Sequence, residues 1–374
     1  MGPLSFICSQ SNNRKRKPYN NNLVRFIANE NIPELNATLQ CLCHIQIFVT
    51  YLKGKFDQIK EINSYKIFDK QGKNLTNSLK DLIDNIYNHK LNDETKIMPI
   101  QIKTNNFYEM FLKINQNYDI NNDCLINTIL MRLHDELNKA QVGSIQGSPM
   151  LDENNLNNAL MVYMNIFSSN NKSKISDHFF GTYYTFTKCM SCGNEIYKPK
   201  AYISHFFNLE DVRKFKYESC MNNLNILYSS PPDCNIINIM DCLYYDRQGK
   251  PNPESNQICK KCGVITNINY LTIIYTLPSI LIFIFNKANL IPNVKYSIQQ
   301  QINIDFFVDQ KQNKIYDLIG VIFNPYQKKY IALCKSFLNK LWYSYDDENA
   351  KLIDNIQTEF NRYDNPYMLI YQQN

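Results

Sequence analysis

Histidine is scarce in this chain, and it is missing where late chemistry would need it. The five histidines stand at 44, 89, 134, 178 and 205, so no imidazole site can be drawn from anything beyond His205. A membrane span is lacking too. The most apolar run, residues 270–285, is shorter than the roughly 20 residues a spanning helix needs, and it contains two Thr and Pro278. It reads as buried strands, β-branched and aromatic, broken at the proline. No secretory signal pattern opens the sequence, and Phe6 breaks the myristoylation pattern that Met1-Gly2 would begin. Twelve cysteines in that context are expected as thiols in a reducing compartment. The protein is therefore expected inside the cell, in nucleus or cytoplasm, with no membrane partner. The net charge of +6 permits an acidic partner without demanding one. No concentrated basic and aromatic stripe is present, which argues against a nucleic-acid binder.

The 374 residues, 44% hydrophobic, suffice for one large domain or two ordinary ones. Residues 1–22 form a polar basic tail with Arg14-Lys-Arg-Lys-Pro18, a pattern shared by nuclear import signals and solvated tails. Residues 23–140 read as mostly helical. Leu35, Leu39, Leu42, Ile45, Val49 and Leu52 share one helical face. Pro33 stands where that helix would begin, with Asn31 as its candidate N-cap. Two more helices follow, one with Leu75, Leu79, Leu82, Ile83 and Ile86 on one face, the other over 124–137. Residues 140–175, rich in Asn and Ser, read as a surface insertion.

Two knuckles come next, Cys189-Met-Ser-Cys192-Gly193 and Cys259-Lys-Lys-Cys262-Gly263. Each tight turn lets two thiolates face one ion, and the glycine permits a left-handed bend after the second ligand. Together they supply the four sulfurs of a closed tetrahedral zinc site, structural because no ligand position is left open. The spacer between them carries Pro231-Pro232 and turns after Arg247. Its Cys220, Cys234 and Cys242 lack metal spacing and read as small buried residues or incidental thiols. Alternating strands are expected near 301–308 and 316–323.

Several segments resemble the ubiquitin-specific protease family. Asn36, Leu39, Gln40 and Leu42 resemble its first box, which ends Cys-Tyr-Met-Asn-Ser-x-Leu-Gln-x-Leu. Leu133-His134-Asp135-Glu136-Leu137 is similar to its Leu-His-x-Glu-Leu. Residues 270–285 resemble its Leu-Pro-x-Leu-Leu segment. Tyr316 to Phe323, Tyr330, Trp342-Tyr-Ser-Tyr-Asp346-Asp347 and Pro366-Tyr-Met-Leu-Ile-Tyr371 resemble its last strands, so the likeness runs over residues 23–372. The resemblance implies an α+β fold of the papain-like superfamily with thumb (23–140), fingers (about 180–275) and palm (about 276–374), the zinc clamping the fingers.

In that register the chemistry is missing. The nucleophile position holds Pro33, the oxyanion Asn position holds Ala28 (with Asn29 adjacent), and the general-base position holds Lys329. Asp346, which would orient the base, is kept. In the acidic box that in the family helps hold ubiquitin's basic tail, Asn121 and Cys124 replace the acids, with Asp119 and Asp123 nearby. A thiolate paired with an imidazole cannot be assembled from these residues. The expected function is therefore that of a catalytically dead relative, binding ubiquitin or another protein partner as a scaffold. The alternatives are a deubiquitinase working through Cys41 or Cys43 beside His44, and a zinc-ribbon nucleic-acid binder.

Overall fold

The computed structural model describes residues 24–27, 32–54, 74–87, 100–116, 124–140, 150–223, 234–249, 258–264, 268–285, 294–326, 329–347, 349–363 and 366–374. The basic tail, Ala28, Asn29, Asn31, His89, Asp119, Asn121, Asp123, Lys328 and Pro231-Pro232 lie outside the described residues.

A short strand, β1 (Val24–Phe26), runs parallel to β2 (Ile100–Ile102). Between them stand α1 (Leu35–Leu42), α2 (Gln46–Gly54) and α3 (Leu75–Tyr87), and after them α4 (Asn105–Ile114) and α5 (Leu125–Leu137). The single helix expected from Leu35 to Leu52 is instead two, bent by 78°. The backbone N–H groups of His44 and Ile45 turn back to Cys41 and Leu42, three residues earlier. The carbonyls of Gln40 and Cys43 are taken by the His44 ring (2.7 Å) and the Tyr87 hydroxyl (2.6 Å). The helix ends because side chains satisfy its last carbonyls. The apolar spacing survives the bend, since all six residues of the expected face are buried.

The next stretch, expected as a surface insertion with turns, holds α6 (Leu156–Asn170) and α7 (Lys174–Phe179). Asn155 and Ser173 cap them through their side chains, a helix-start signal that composition alone concealed. An antiparallel three-stranded sheet follows, β3 (Gly181–Cys189) between β4 (Glu195–Tyr202) and a later strand. Then come β5 (His205–Phe207), α8 (Leu209–Asn223), β6 (Ile236–Ile237) and α9 (Ile239–Tyr244), so much of the spacer is helical rather than turns. The strand that completes the small sheet is β7 (Ile268–Thr276), and β8 (Ile280–Phe285) follows at once. Pro278 has no N–H to give a ladder, and the Tyr316 hydroxyl holds its carbonyl at 2.7 Å. At this corner the chain leaves the small sheet for a large one.

The rest is β9 (Lys295–Tyr296), β10 (Gln301–Asn303), β11 (Ile315–Tyr326), β12 (Lys329–Lys335), β13 (Trp342–Tyr345), β14 (Ala350–Ile353), α10 (Ile356–Arg362) and β15 (Pro366–Gln373). The large sheet has eight strands in the order β14-β13-β12-β11-β15-β8-β5, with β10 also on β11. Every pair in it is antiparallel except β5 with β8. The unbroken apolar run of β8 has a physical reason. Ile280, Ile282 and Ile284 join the core under α1–α5, while Leu281, Phe283 and Phe285 join a second core on the other face. A strand covered on both faces cannot alternate. Helix α1 lies on β11 and β12. A side chain at Gly320 would put its Cβ 3.3 Å from the Cys41 sulfur, so helix and sheet pass closely there and a larger residue would push that sulfur aside by a few tenths of an ångström.

The buried Glu136 of α5 reaches across to the start of α3. Its carboxylate accepts the N–H groups of Leu75 (3.1 Å) and Thr76 (2.8 Å) and the Thr76 hydroxyl (2.6 Å). This caps a helix end that would otherwise bury orphaned donors. Glu136→Ala is expected to cost about 3 kcal/mol in urea unfolding, with the native fold kept.

Candidate active site and metal centre

Helix α1 starts from a turn in which the Leu35 N–H bonds the Ile32 carbonyl at 3.0 Å, with Pro33 half-buried inside it. The next residue, Glu34, is 1% exposed. Its carboxylate lies beside Tyr330 on β12, whose phenol is pushed up first by burial and then by that negative charge. Lys329 precedes Tyr330 at the mouth of the β11–β12 turn, opposite Tyr326. Because β12 and β13 are antiparallel, with Ala332 opposite Tyr345, the residue after Tyr345 sits at the same end of the sheet. The structure thus brings Pro33, Lys329 and Asp346 to one end of the fold.

Asp346 serves its own turn there: its carboxylate accepts the Asn349 N–H, and its N–H bonds the Asn349 carbonyl at 2.9 Å. The neighbouring Asp347 reaches the helix instead. Its carboxylate accepts the Asn36 amide at 3.2 Å, and its carbonyl accepts the Arg25 guanidinium at 3.1 Å. Asn36 also donates to the Ile27 carbonyl at 2.8 Å and accepts the Thr104 hydroxyl at 3.2 Å. Sequence reasoning had Asn36 as a packing position and missed this junction. The Asp346-Asp347 doublet marks an acidic pair there, but the sequence does not say which of the two reaches the helix. Glu34 was missed as well, since only burial makes a carboxylate there informative.

Cys41, Cys43 and His44 lie at the other end of α1. Cys41 and Cys334 bring their sulfurs to 3.7 Å in the interior. Burial pushes the Cys43 and Cys334 thiols up. Burial also pulls His44 down to about 4, against the opposing hydrogen bond to the Gln40 carbonyl. With the Nδ1 proton given to that carbonyl, Nε2 is left to accept the Tyr345 hydroxyl at 3.0 Å. A neutral, doubly bonded imidazole has nothing left with which to activate a thiol. His134 bonds the Ser173 hydroxyl at 2.7 Å and His205 bonds Asp246 at 3.2 Å, both away from the Pro33 end.

The knuckles meet at the far end of the small sheet. Cys189 closes β3 opposite Ile268 at the start of β7, which carries both turns to one place. The sulfurs of Cys189 and Cys262 are 3.8 Å apart and those of Cys192 and Cys259 3.7 Å, all four lying within 4.8 Å of one another. Sulfurs about 2.3 Å from a tetrahedral zinc would sit about 3.8 Å apart, so the donor set fits such an ion. The turns are copies: Gly193 and Gly263 both have φ of 69°, and each gives its N–H to the first cysteine of its knuckle at 2.8 Å. The N–H groups of Cys262 and Lys261 also point at the Cys259 sulfur and draw its thiol down. The four cysteines thus bring the tip of the β3–β4 hairpin to the chain that precedes β7.

An α+β fold with a helical half, a large sheet and a cysteine-tipped extension defines the class, and a family model agrees. The chain belongs to the ubiquitin carboxyl-terminal hydrolase family, whose model matches residues 29–371. Solved structures share the fold at low identity. The yeast SAGA DUB module with an Sgf73 mutant aligns at TM-score 0.62 and 13% identity, over 95% of this chain and 69% of that one. The SAGA Ubp8/Sgf11/Sus1/Sgf73 DUB module bound to ubiquitin aldehyde aligns at TM-score 0.58 and 17% identity, over 95% and 70%. The Ubp8 module bound to monoubiquitin gives TM-score 0.58 at 16% identity, over the same shares. No curated protein matches.

The depressed His44 sets a pH dependence. In the unfolded chain His44 binds its proton near 6.5, in the fold only near 4, so the unfolded state holds more protons between those values. Its contribution is complete above pH 6.5 and is lost as pH falls to 4, about 3 kcal/mol in all. Urea unfolding of the wild type and His44→Gln at intervals from pH 7.5 to 4 is expected to show the wild type losing stability relative to the variant only below pH 6.5, by about 3 kcal/mol at pH 4.

Proposed function

We propose that this chain is a catalytically dead member of its family that works by binding ubiquitin or a protein partner as a scaffold. The observation that carries this reading is the start of α1. Pro33 offers neither thiol nor N–H at the nucleophile position, and the buried Glu34 beside Tyr330 places a carboxylate next to it. An anion there would oppose the oxyanion that the reaction must stabilise. Lys329 brings an ammonium, not an imidazole, to the base position, and Asp346 has no imidazole to orient. Loss of a nucleophile alone costs on the order of a millionfold in turnover. The alternative of an active enzyme using Cys41 or Cys43 is disfavoured by their burial and by the spent His44.

Ubp8 in the similar structures is bound to ubiquitin and assembled with Sgf11, Sus1 and Sgf73. By that likeness we assign this chain ubiquitin's globular body, or a subunit of an assembly, as its partner. The four knuckle cysteines hold a structural zinc in this reading. Its chemistry is that of a closed tetrathiolate that ties β3 to β7.

Two measurements test these roles. A ubiquitin C-terminal fluorogenic substrate is expected to show no turnover above buffer, and a rate abolished by Cys41→Ser or Cys43→Ser would restore the enzyme reading. In parallel, NMR titration of labelled ubiquitin separates ubiquitin binding from a scaffold role without it. For the metal, one zinc per chain is expected by elemental analysis. Chelation is then expected to remove hydrogen-exchange protection from β3, β4 and β7 while sparing the large sheet.

A further inference from the structure

A second site opens at the opposite end of β12 from Lys329. Six residue steps separate Lys329 from Lys335, about 20 Å of strand, so the two places are distinct. A cavity of 260 Å³ lies there, where the α1–α2 bend meets the ends of β12 and β15 and the start of β11. Small-molecule pockets run from about 300 Å³ upward, so this one suits a small ligand.

Its walls are polar and biased toward donors. Lys335 and Lys340 line it, and neither forms an ion pair among the described residues. Ser336 is 5% exposed, and its oxygen accepts the Leu338 N–H at 3.3 Å. No acceptor for its own hydroxyl proton is found among the described residues. Gln46, the first residue of the nine-residue α2, also faces the cavity, so the positive end of that helix opens onto it. The one carboxylate side chain in the wall, Asp317, already accepts the Gln301 amide at 2.9 Å, and Asn374, the last residue of the sequence, lines the cavity as well. His44 closes the floor with both ring nitrogens engaged.

We propose that this cavity binds a small oxyanion, a phosphate or carboxylate group on a compact molecule, held by Lys335, Lys340 and the Ser336 hydroxyl. Two ammonium groups and a hydroxyl donor around a small space match the charge and lone pairs of such a group. The remoteness from Pro33 makes this binding independent of the ubiquitin-binding reading.

The test uses the full chain loaded with zinc, at fixed ionic strength in chloride. Inorganic phosphate and, separately, malonate are titrated while backbone amide shifts are followed by NMR. The expected result is saturable shifts confined to the amides of residues 46, 335–341 and 372–373. A double Lys335→Gln, Lys340→Gln variant is expected to weaken binding at least tenfold, and Ser336→Ala to weaken it severalfold. Lys311→Gln, at an exposed lysine elsewhere, is expected to change nothing. Saturation with phosphate alone assigns a phosphate site, and saturation with both assigns a general oxyanion site. Linear or diffuse shifts, or binding unchanged in the double variant, overturn the proposal. Both lysines are at least partly exposed, and a circular-dichroism melt confirms that the variant is folded before it is read.

Discussion

The fold depends on one short helix that has no solvent face. All eight residues of α1 are buried, wedged between the other helices and the strands β11 and β12. Burying a helix on every side makes partners for its polar side chains valuable, and two of its three buried polar residues find them, while the Thr38 hydroxyl has none among the described residues. Gln40 meets this by donating to the Val24 carbonyl at 2.9 Å, which pins β1. Asn36 joins β1's trailing residue, the loop before α4 and the β13–β14 turn. Gly320 gives way beneath it. Each of these contacts fixes a different element against the helix, and the end of the fold where Pro33 lies inherits its geometry from them.

Much of this was legible in the residues. The faces of α3 and α5 follow directly from leucine and isoleucine spacing, and the break at Pro278 from the missing N–H. The knuckles were legible because two copies of one turn need the same glycine twice. The bend after Leu42 was not, because the spacing of Leu35 through Leu52 fits one helix or two equally well. What decided it was a hydroxyl from Tyr87, far along the chain, and an imidazole from within the turn. Helix α6 was hidden by its own composition, since Asn and Ser signal a loop unless one of them happens to be a cap.

For the site, residue identity names the side chains at the positions of interest but not what surrounds them. Nothing in a linear reading distinguishes an exposed Glu34 from a buried one, or shows that Asp347, rather than Asp346, reaches the helix. Those are facts of tertiary approach. The thiols at Cys41, Cys43 and Cys334 illustrate the converse. In sequence, Cys43 beside His44 suggests reactivity, yet burial keeps the thiol protonated and the ring neutral, so proximity becomes packing.

The buried Glu34 has a consequence for a variant designed with a thiol at residue 33. A sulfur at residue 33 would stand next in the chain to the buried Glu34, and a carboxylate close to a thiol disfavours the thiolate. On the reading proposed above, sulfur alone at residue 33 would give a poorly ionised thiol, and the buried carboxylate beside it would have to be replaced together with the proline.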